Sequence, residues 1–278
     1  MPAKRPRHTA LIRVILTACA ALFALAGPAG AAEPPQVVDL LQFRTDDPRA
    51  WERMRRQSDS APLTLAELEK LTAGGIGEKT IVEMMRTRKV AAVADADTLL
   101  ALKKAGASDD MVAALSAYAL PPNAFFDLFI RLAVASPDTV RKAPFLYVEA
   151  WHAAEKRAVA FMHADLRGLL RRGLGVEVNR DRSDPLLPRT VRSVDFAGKV
   201  ETRKAGAIEL RVLATQTAGL RSLDRLSPAD AKGVRRFTAD YPAVSLERRC
   251  RLDLTLERDS LMKDAFALSD GALDCRWE

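Results

Sequence analysis

The chain has 278 residues, 43 Lys and Arg against 36 Asp and Glu, and a formal net charge of +7. Its hydrophobic content of 48% is enough to bury a core, and its three cysteines and three histidines are scattered along the whole length. That composition excludes a disordered polyelectrolyte, a disulfide-stapled miniprotein and a cysteine-rich zinc module.

Lys4, Arg5, Arg7 and Arg13 precede an uncharged apolar run from Val14 to Ala26, and Gly27-Pro28-Ala29-Gly30-Ala31 follows it. A basic start, an apolar middle and a small-residue exit make the pattern of a secretory signal peptide, with cleavage between Ala31 and Ala32. Two other readings stay open. Leu16-Thr-Ala-Cys19 has the form of a lipoprotein box that would be acylated at Cys19. An uncleaved Val14 to Ala32 would be a membrane anchor, although Gly27 and Pro28 weaken it. Cleavage removes four basic residues and no acidic one, so the net charge falls from +7 to +3. A balance that small is an ordinary solvated surface and not a nucleic-acid footprint. The expected location is the periplasm or the exterior.

Residues 32–60 read as a lead-in segment in which Asp47-Pro48 starts a short helix through Trp51 and Met54 to Gln57. From 61 to 120 one helical unit is stated twice, in a register of 31 residues. Leu68 falls on Leu99, Leu71 on Leu102, Gly75 on Gly106, Glu78 on Asp109 and Ile81 on Val112. Thr64 with Glu67, and Asp95 with Thr98, supply caps; a glycine ends each first helix; Gly77 and Ser108 begin each second one. Each unit is thus a helical hairpin, and two hairpins are expected to pack into a small four-helix domain.

The segment Ala96-Asp-Thr-Leu-Leu-Ala-Leu-Lys-Lys-Ala-Gly-Ala-Ser-Asp-Asp-Met-Val112 resembles a repeat of exported bacterial proteins of mostly unknown role, with the pattern L-x-x-L-x-x-A-G-hydrophobic-S-D/E. Leu71-Thr-Ala-Gly-Gly-Ile-Gly-Glu-Lys-Thr-Ile81 is similar to the helix-hairpin-helix DNA-binding modules of secreted competence proteins. That second resemblance implies phosphate contacts at Gly75, Ile76 and Gly77, with Lys79 beside them. The second unit departs from it, since Gly106-Ala-Ser108 lacks the second glycine and Asp109 and Asp110 stand where a phosphate would sit. Each resemblance covers about sixty residues and none of the C-terminal half.

Leu120-Pro-Pro-Asn123 marks a boundary. Beyond it the apolar period changes to two, with Phe126, Leu128, Ile130, Leu132 and Val134 on one side of a strand. Ile208, Leu210 and Val212 repeat the pattern, as do Cys250, Leu252 and Leu254. Phe145 to Leu170 reads as a hairpin turning at Ala153 to Arg157, with one long helix as the alternative. A strand runs through Val194 and Phe196, and Ser227-Pro-Ala-Asp230 caps a short helix. The predicted fold class is α+β multidomain: signal peptide 1–31, lead-in 32–60, tandem helical-hairpin repeats 61–120 and an antiparallel β-sandwich with inserted short helices 121–278.

Cleavage would remove Cys19 and leave Cys250 and Cys275 in an exported chain, so these two are expected to pair. His152 and His163 lack metal-ligand spacing. Asn179-Arg-Asp-Arg-Ser183-Asp184 opens like a calcium loop without that loop's glycine or closing glutamate. No nucleophile elbow, phosphate loop or dinucleotide fingerprint occurs, so no catalytic residue, cofactor or metal is assigned. Trp151, Arg248, Arg249, Arg276 and Trp277 suggest a partner surface, or else core tryptophans beside solvated arginines. The chain reads as a non-enzymatic exported binding or scaffold protein for an envelope protein or glycan. DNA binding and an enzyme built from scattered residues are the alternatives.

Overall fold

The computed structural model describes residues 34–42, 61–134, 137–167, 176–181, 189–258, 266–269 and 271–277. The chain divides into Met1–Pro34 and Pro35–Glu278, and the elements described all belong to the second unit. The signal peptide with Cys19 and the Ala31–Ala32 junction, and the lead-in helix from Asp47 to Gln57, lie outside the described residues.

Two short strands come first, β1 (Val37–Asp39) and β2 (Leu41–Gln42). A helical insert follows: β3 (Leu63–Thr64), α1 (Leu65–Ala73), α2 (Glu78–Arg88), β4 (Val90–Ala91), α3 (Ala96–Lys104) and α4 (Asp109–Tyr118). Thr64 and Glu67 make a full capping box on α1, Asp95 accepts the Thr98 amide on α3, and Ser108 accepts the Met111 amide on α4. Gly75 and Gly106 take φ of 71° and 95° where α1 and α3 turn back, a conformation that costs glycine little and other residues more. Leu68, Ile81, Met85, Leu102, Met111 and Leu115 form a core of their own. β3 and β4 pair in parallel with each other, and the Leu120 amide donates to the Val90 carbonyl, so both ends of the helical segment close on the chain at Val90.

The remaining elements are β5 (Phe125–Val134), α5 (Pro137–Lys142), β6 (Phe145–His152), β7 (Arg157–Asp165), β8 (Val176–Asp181), β9 (Arg189–Glu201), β10 (Gly206–Thr215), α6 (Pro228–Gly233), β11 (Arg235–Tyr241), β12 (Arg249–Arg258), β13 (Phe266–Leu268) and β14 (Ala272–Arg276). One sheet runs β1-β7-β6-β10-β11; the other runs β13-β12-β5-β9-β2, with β14 on β12 and β8 on β9. Alternation decides which side chains go inward. Phe126, Leu128, Ile130, Leu132 and Val134 of β5 meet Leu146, Val148, Ile208, Leu210 and Val212 of the first sheet in one core that also holds Leu252 and Leu254. Each such side chain contributes about 2 kcal/mol of burial.

Residues 37–42 clasp both sheets. β1 pairs in parallel with β7, β2 pairs antiparallel with β9, and Leu40 between them enters the core. Gly198 makes room for this, since a Cβ there would collide with the Met162 sulfur and stand 3.1 Å from Leu40 Cδ2.

These findings correct the predicted fold class. The α+β multidomain layout, a helical-hairpin repeat domain followed by an antiparallel β-sandwich, is overturned: strand outweighs helix, and both large sheets are mixed. β12 pairs in parallel with β5, and β1 with β7. The four short helices, with β3 and β4 paired to each other, lie within the compact unit Pro35–Glu278. The physical reason is that parallel partners cannot be joined by a tight turn. They come from distant parts of the chain, and local periodicity carries no trace of the pairing.

Candidate functional site

Along β5 the residues Phe125, Asp127, Phe129 and Arg131 face away from the core. The register sets Lys199 of β9 on one side of Asp127 and Arg249 of β12 on the other. The Lys199 ammonium lies 3.9 Å from the centroid of the Phe125 ring, and the Arg248 guanidinium 5.1 Å from it. An aromatic ring holds a cation in place through its quadrupole without cancelling the charge as a carboxylate does. Away from Phe125 the arginines are balanced: Arg249 donates to Glu247 at 2.7 Å, Arg251 to Asp253 at 2.9 Å, and Arg131 Nε lies 3.4 Å from Asp195. Burial pushes the Asp127 carboxyl up, while Lys199 and Arg248 pull it down.

Two clefts share Phe125. The larger, about 640 Å³, lies between the start of β5, the β6–β7 turn with Glu155 and Arg157, and the β9–β10 turn with Glu201, Arg203 and Lys204. The smaller, about 350 Å³, lies over Asp127 and Phe129 and is walled by Leu246, Glu247 and Arg248.

Buried polar groups fix the larger cleft from behind. His152 is fully buried at the end of β6. Its Nδ1 accepts the Glu155 amide at 3.4 Å, which leaves the ring proton on Nε2 to donate to the Lys204 carbonyl at 3.0 Å. One imidazole thereby ties the two turns that wall the cleft. The Tyr241 hydroxyl donates to the Phe125 and Thr202 carbonyls, at 3.1 and 3.4 Å, and the Thr202 amide donates to Ala124. Burial raises the Tyr241 hydroxyl above the ordinary phenol value, with Arg248 opposing.

The centre of the outward face of the other sheet is covered. Tyr147, Phe161 and Leu213 are roofed by Leu220, Leu223 and Leu226 of the β10–α6 connection. Glu149, fully buried among them, accepts from the Leu223 amide at 3.1 Å and the Ser222 hydroxyl at 3.3 Å, and faces Arg211 at 3.2 Å. Arg211 also reaches Glu209 and Asp224 and lies 4.4 Å over the Trp151 ring. Burial pushes the Glu149 carboxyl up, the Leu223 amide pulls it down, and the neighbouring Asp224 pushes it further up against Arg211. This cluster latches a loop onto the sheet.

Cys250 and Cys275 sit opposite each other on β12 and β14 and are disulfide-bonded, with Cα atoms 4.0 Å apart. Of the residues suggested as a partner surface, Trp277 packs edge-on against Phe126 and Tyr241 at 5.6 and 5.4 Å, and Trp151 lies under Arg211. Arg248 and Arg249 line the smaller cleft, and Arg276 Nε lies 3.7 Å from Asp274. The sequence reading missed Phe125, Phe129 and Lys199. The signal available for them was the set of aromatic and charged residues at the outward positions of β5 and β9.

In the helical insert the Gly75 and Ile76 amides donate to the Thr72 and Leu71 carbonyls and close the end of α1. Gly77 caps α2, Lys79 lies in its first turn, and Ile76 is exposed. The Ser108 hydroxyl donates to Glu78 at the start of α2. His163 Nδ1 lies 2.9 Å from Asp39 Oδ1. Asn179 to Asp181 fall in β8, and Arg182, Ser183 and Asp184 lie outside the described residues. Among the described residues no group of His, Cys, Asp or Glu is placed to hold a metal ion.

No protein-family profile and no curated protein matches the chain. Among solved structures it is similar to a fimbrial assembly protein from Parabacteroides distasonis, at 11% identity and a TM-score of 0.27, over 47% of this chain and 52% of that one. The match spans about half the length of that protein.

Proposed function

We propose that this is an exported binding or scaffold protein of the cell envelope, without catalytic activity, whose outward β5 face docks a partner. The observation that carries the reading is the Phe125–Phe129 strip, flanked by Arg248 and Lys199 and by the exposed Leu246. Aromatic side chains and arginine are the types that dominate binding energy at interfaces. The Cys250–Cys275 disulfide supports export, because such bonds persist in oxidising compartments. The insert of α1 to α4 serves in this reading as a spacer.

The test uses the full exported chain as bait in envelope extract, with crosslinking before capture. A defined set of partners is expected, and Leu246→Asp combined with Arg248→Glu should release it while the disulfide and the far-UV spectrum stay intact. Capture of the same set by that variant, or no reproducible capture by the native chain, would count against the reading.

A further inference from the structure

We propose that the larger cleft binds acidic saccharides, sugar chains bearing carboxylate or phosphate groups. The proposal rests on the reading of this side of the molecule as a binding surface, and it assigns a ligand class to the cleft next to the docking strip, with which it shares Phe125 and Lys199 but neither Leu246 nor Arg248.

The charge of the cleft is the first argument. Arg203 and Lys204 are exposed and make no ion pair among the described residues. Lys199 is held by the Phe125 ring and lies 3.7 Å from Glu201. Arg157 donates to Glu155 at 2.6 Å. Cations therefore outnumber carboxylates around one opening, and two of them have no counter-charge among the described residues, so the site attracts an anion.

The second argument separates a saccharide from a bare oxyanion. Glu155 and Glu201 stand on the same walls, where they repel a naked multivalent anion and accept hydrogen bonds from hydroxyl groups. A sugar acid supplies both groups at once, its carboxylate or phosphate for Arg203 and Lys204 and its hydroxyls for the two glutamates. The volume of about 640 Å³ lies within the range of small-molecule sites and is several times what one phosphate fills. Ala124 and Phe125 add an apolar patch for the carbon face of a sugar ring.

The third argument is preorganisation. Arg203 and Lys204 sit on a turn that His152 binds through the Lys204 carbonyl, and Thr202 before them is pinned by Tyr241. The backbone of the turn is thus held in place before the ligand arrives, which lowers the cost of association.

The experiment is calorimetric titration of the full, disulfide-intact chain with tetragalacturonate at low salt, beside maltotetraose and inorganic phosphate. Tetragalacturonate should bind and weaken as salt rises. Its affinity should drop at least about tenfold, some 1.4 kcal/mol, in Arg203→Glu/Lys204→Glu. Arg203→Gln/Lys204→Gln, which reverses no charge, should weaken it in the same direction and serves if the first variant misfolds. Absence of tetragalacturonate binding, equal binding of maltotetraose, phosphate binding as tight as the tetrasaccharide, or indifference to both double variants would each overturn the proposal. The Leu246→Asp/Arg248→Glu variant should keep the sugar and lose the captured partner. Sugar binding lost with partner capture intact refutes this inference alone, and the reverse pattern refutes only the docking reading.

Discussion

Removing the disulfide offers a quantitative test of how the second sheet is held. Cys250 and Cys275 are separated by 25 positions in sequence, and closing a loop of that length removes about 3.5 kcal/mol of unfolded-chain entropy at 25 °C. The bond is the second rung of the β12–β14 ladder, next to Arg249 paired with Arg276 and followed by three rungs ending at Asp253 paired with Ala272. Trp277, just past it, packs edge-on against Phe126 and Tyr241. In Cys250→Ala/Cys275→Ala, which leaves no unpaired thiol, stability should fall by about 3 to 4 kcal/mol, or roughly 6 to 16 °C in Tm at 2–4 °C per kcal/mol. Urea unfolding followed by far-UV dichroism and tryptophan fluorescence under oxidising conditions measures it. The native chain in reductant should converge on the variant. A loss below about 1 kcal/mol would refute the reasoning, because the ladder and the Trp277 contacts would then hold β14 without the crosslink.

Gly271→Ala would set a Cβ against the Asp253 carbonyl oxygen, which as backbone cannot move aside, and chemical unfolding should show a loss of about 2 kcal/mol. Thr64→Ala removes the capping box of α1 and should lower stability by about 1 kcal/mol, with amide exchange rising first in α1. Glu149 has its carboxyl raised in the folded state, so the folded chain keeps that proton longer than the unfolded chain. The stability linked to it is full below the unfolded value and declines as pH rises toward the folded one. Glu149→Gln should remove that decline, and urea midpoints across the acid range should show the native curve falling relative to the variant's.

The alternation along Phe125–Val134 was readable because every second residue is large and apolar, and all five predicted inward residues are buried. The turn between β6 and β7 was readable as a polar break between β-forming runs. The caps at Thr64, Asp95, Ser108 and Ser227 were legible from local chemistry, since a short oxygen-bearing side chain meets an amide three residues on. What stayed hidden depends on segments far apart in the chain. Glu149 sits in mid-strand like a solvent-facing charge, yet Leu220, Leu223 and Leu226 roof it. Those three leucines lie in a connection with no strand or helix period to advertise them. The larger cleft was equally invisible, because its walls meet through His152, and a lone histidine with no partner at ligand spacing gives no sign of joining two turns. Trp277 was readable only as either partner surface or core, because its ring partners Phe126 and Tyr241 lie far back in the sequence.

The clasp at residues 37–42 also sets an order of events during folding. A chain made from its N-terminus emerges with Val37 to Gln42 early, whereas the partners of these residues, Phe161 to His163 and Phe196 to Ala197, follow more than a hundred residues later. Until β7 and β9 exist, the segment has no edge to join, and Leu40 stays in water. Contacts that span so much chain are slow to form, because loop closure must precede any gain from them. A segment made well ahead of its partners is therefore among the last to dock, and its docking joins one sheet to the other through Leu40.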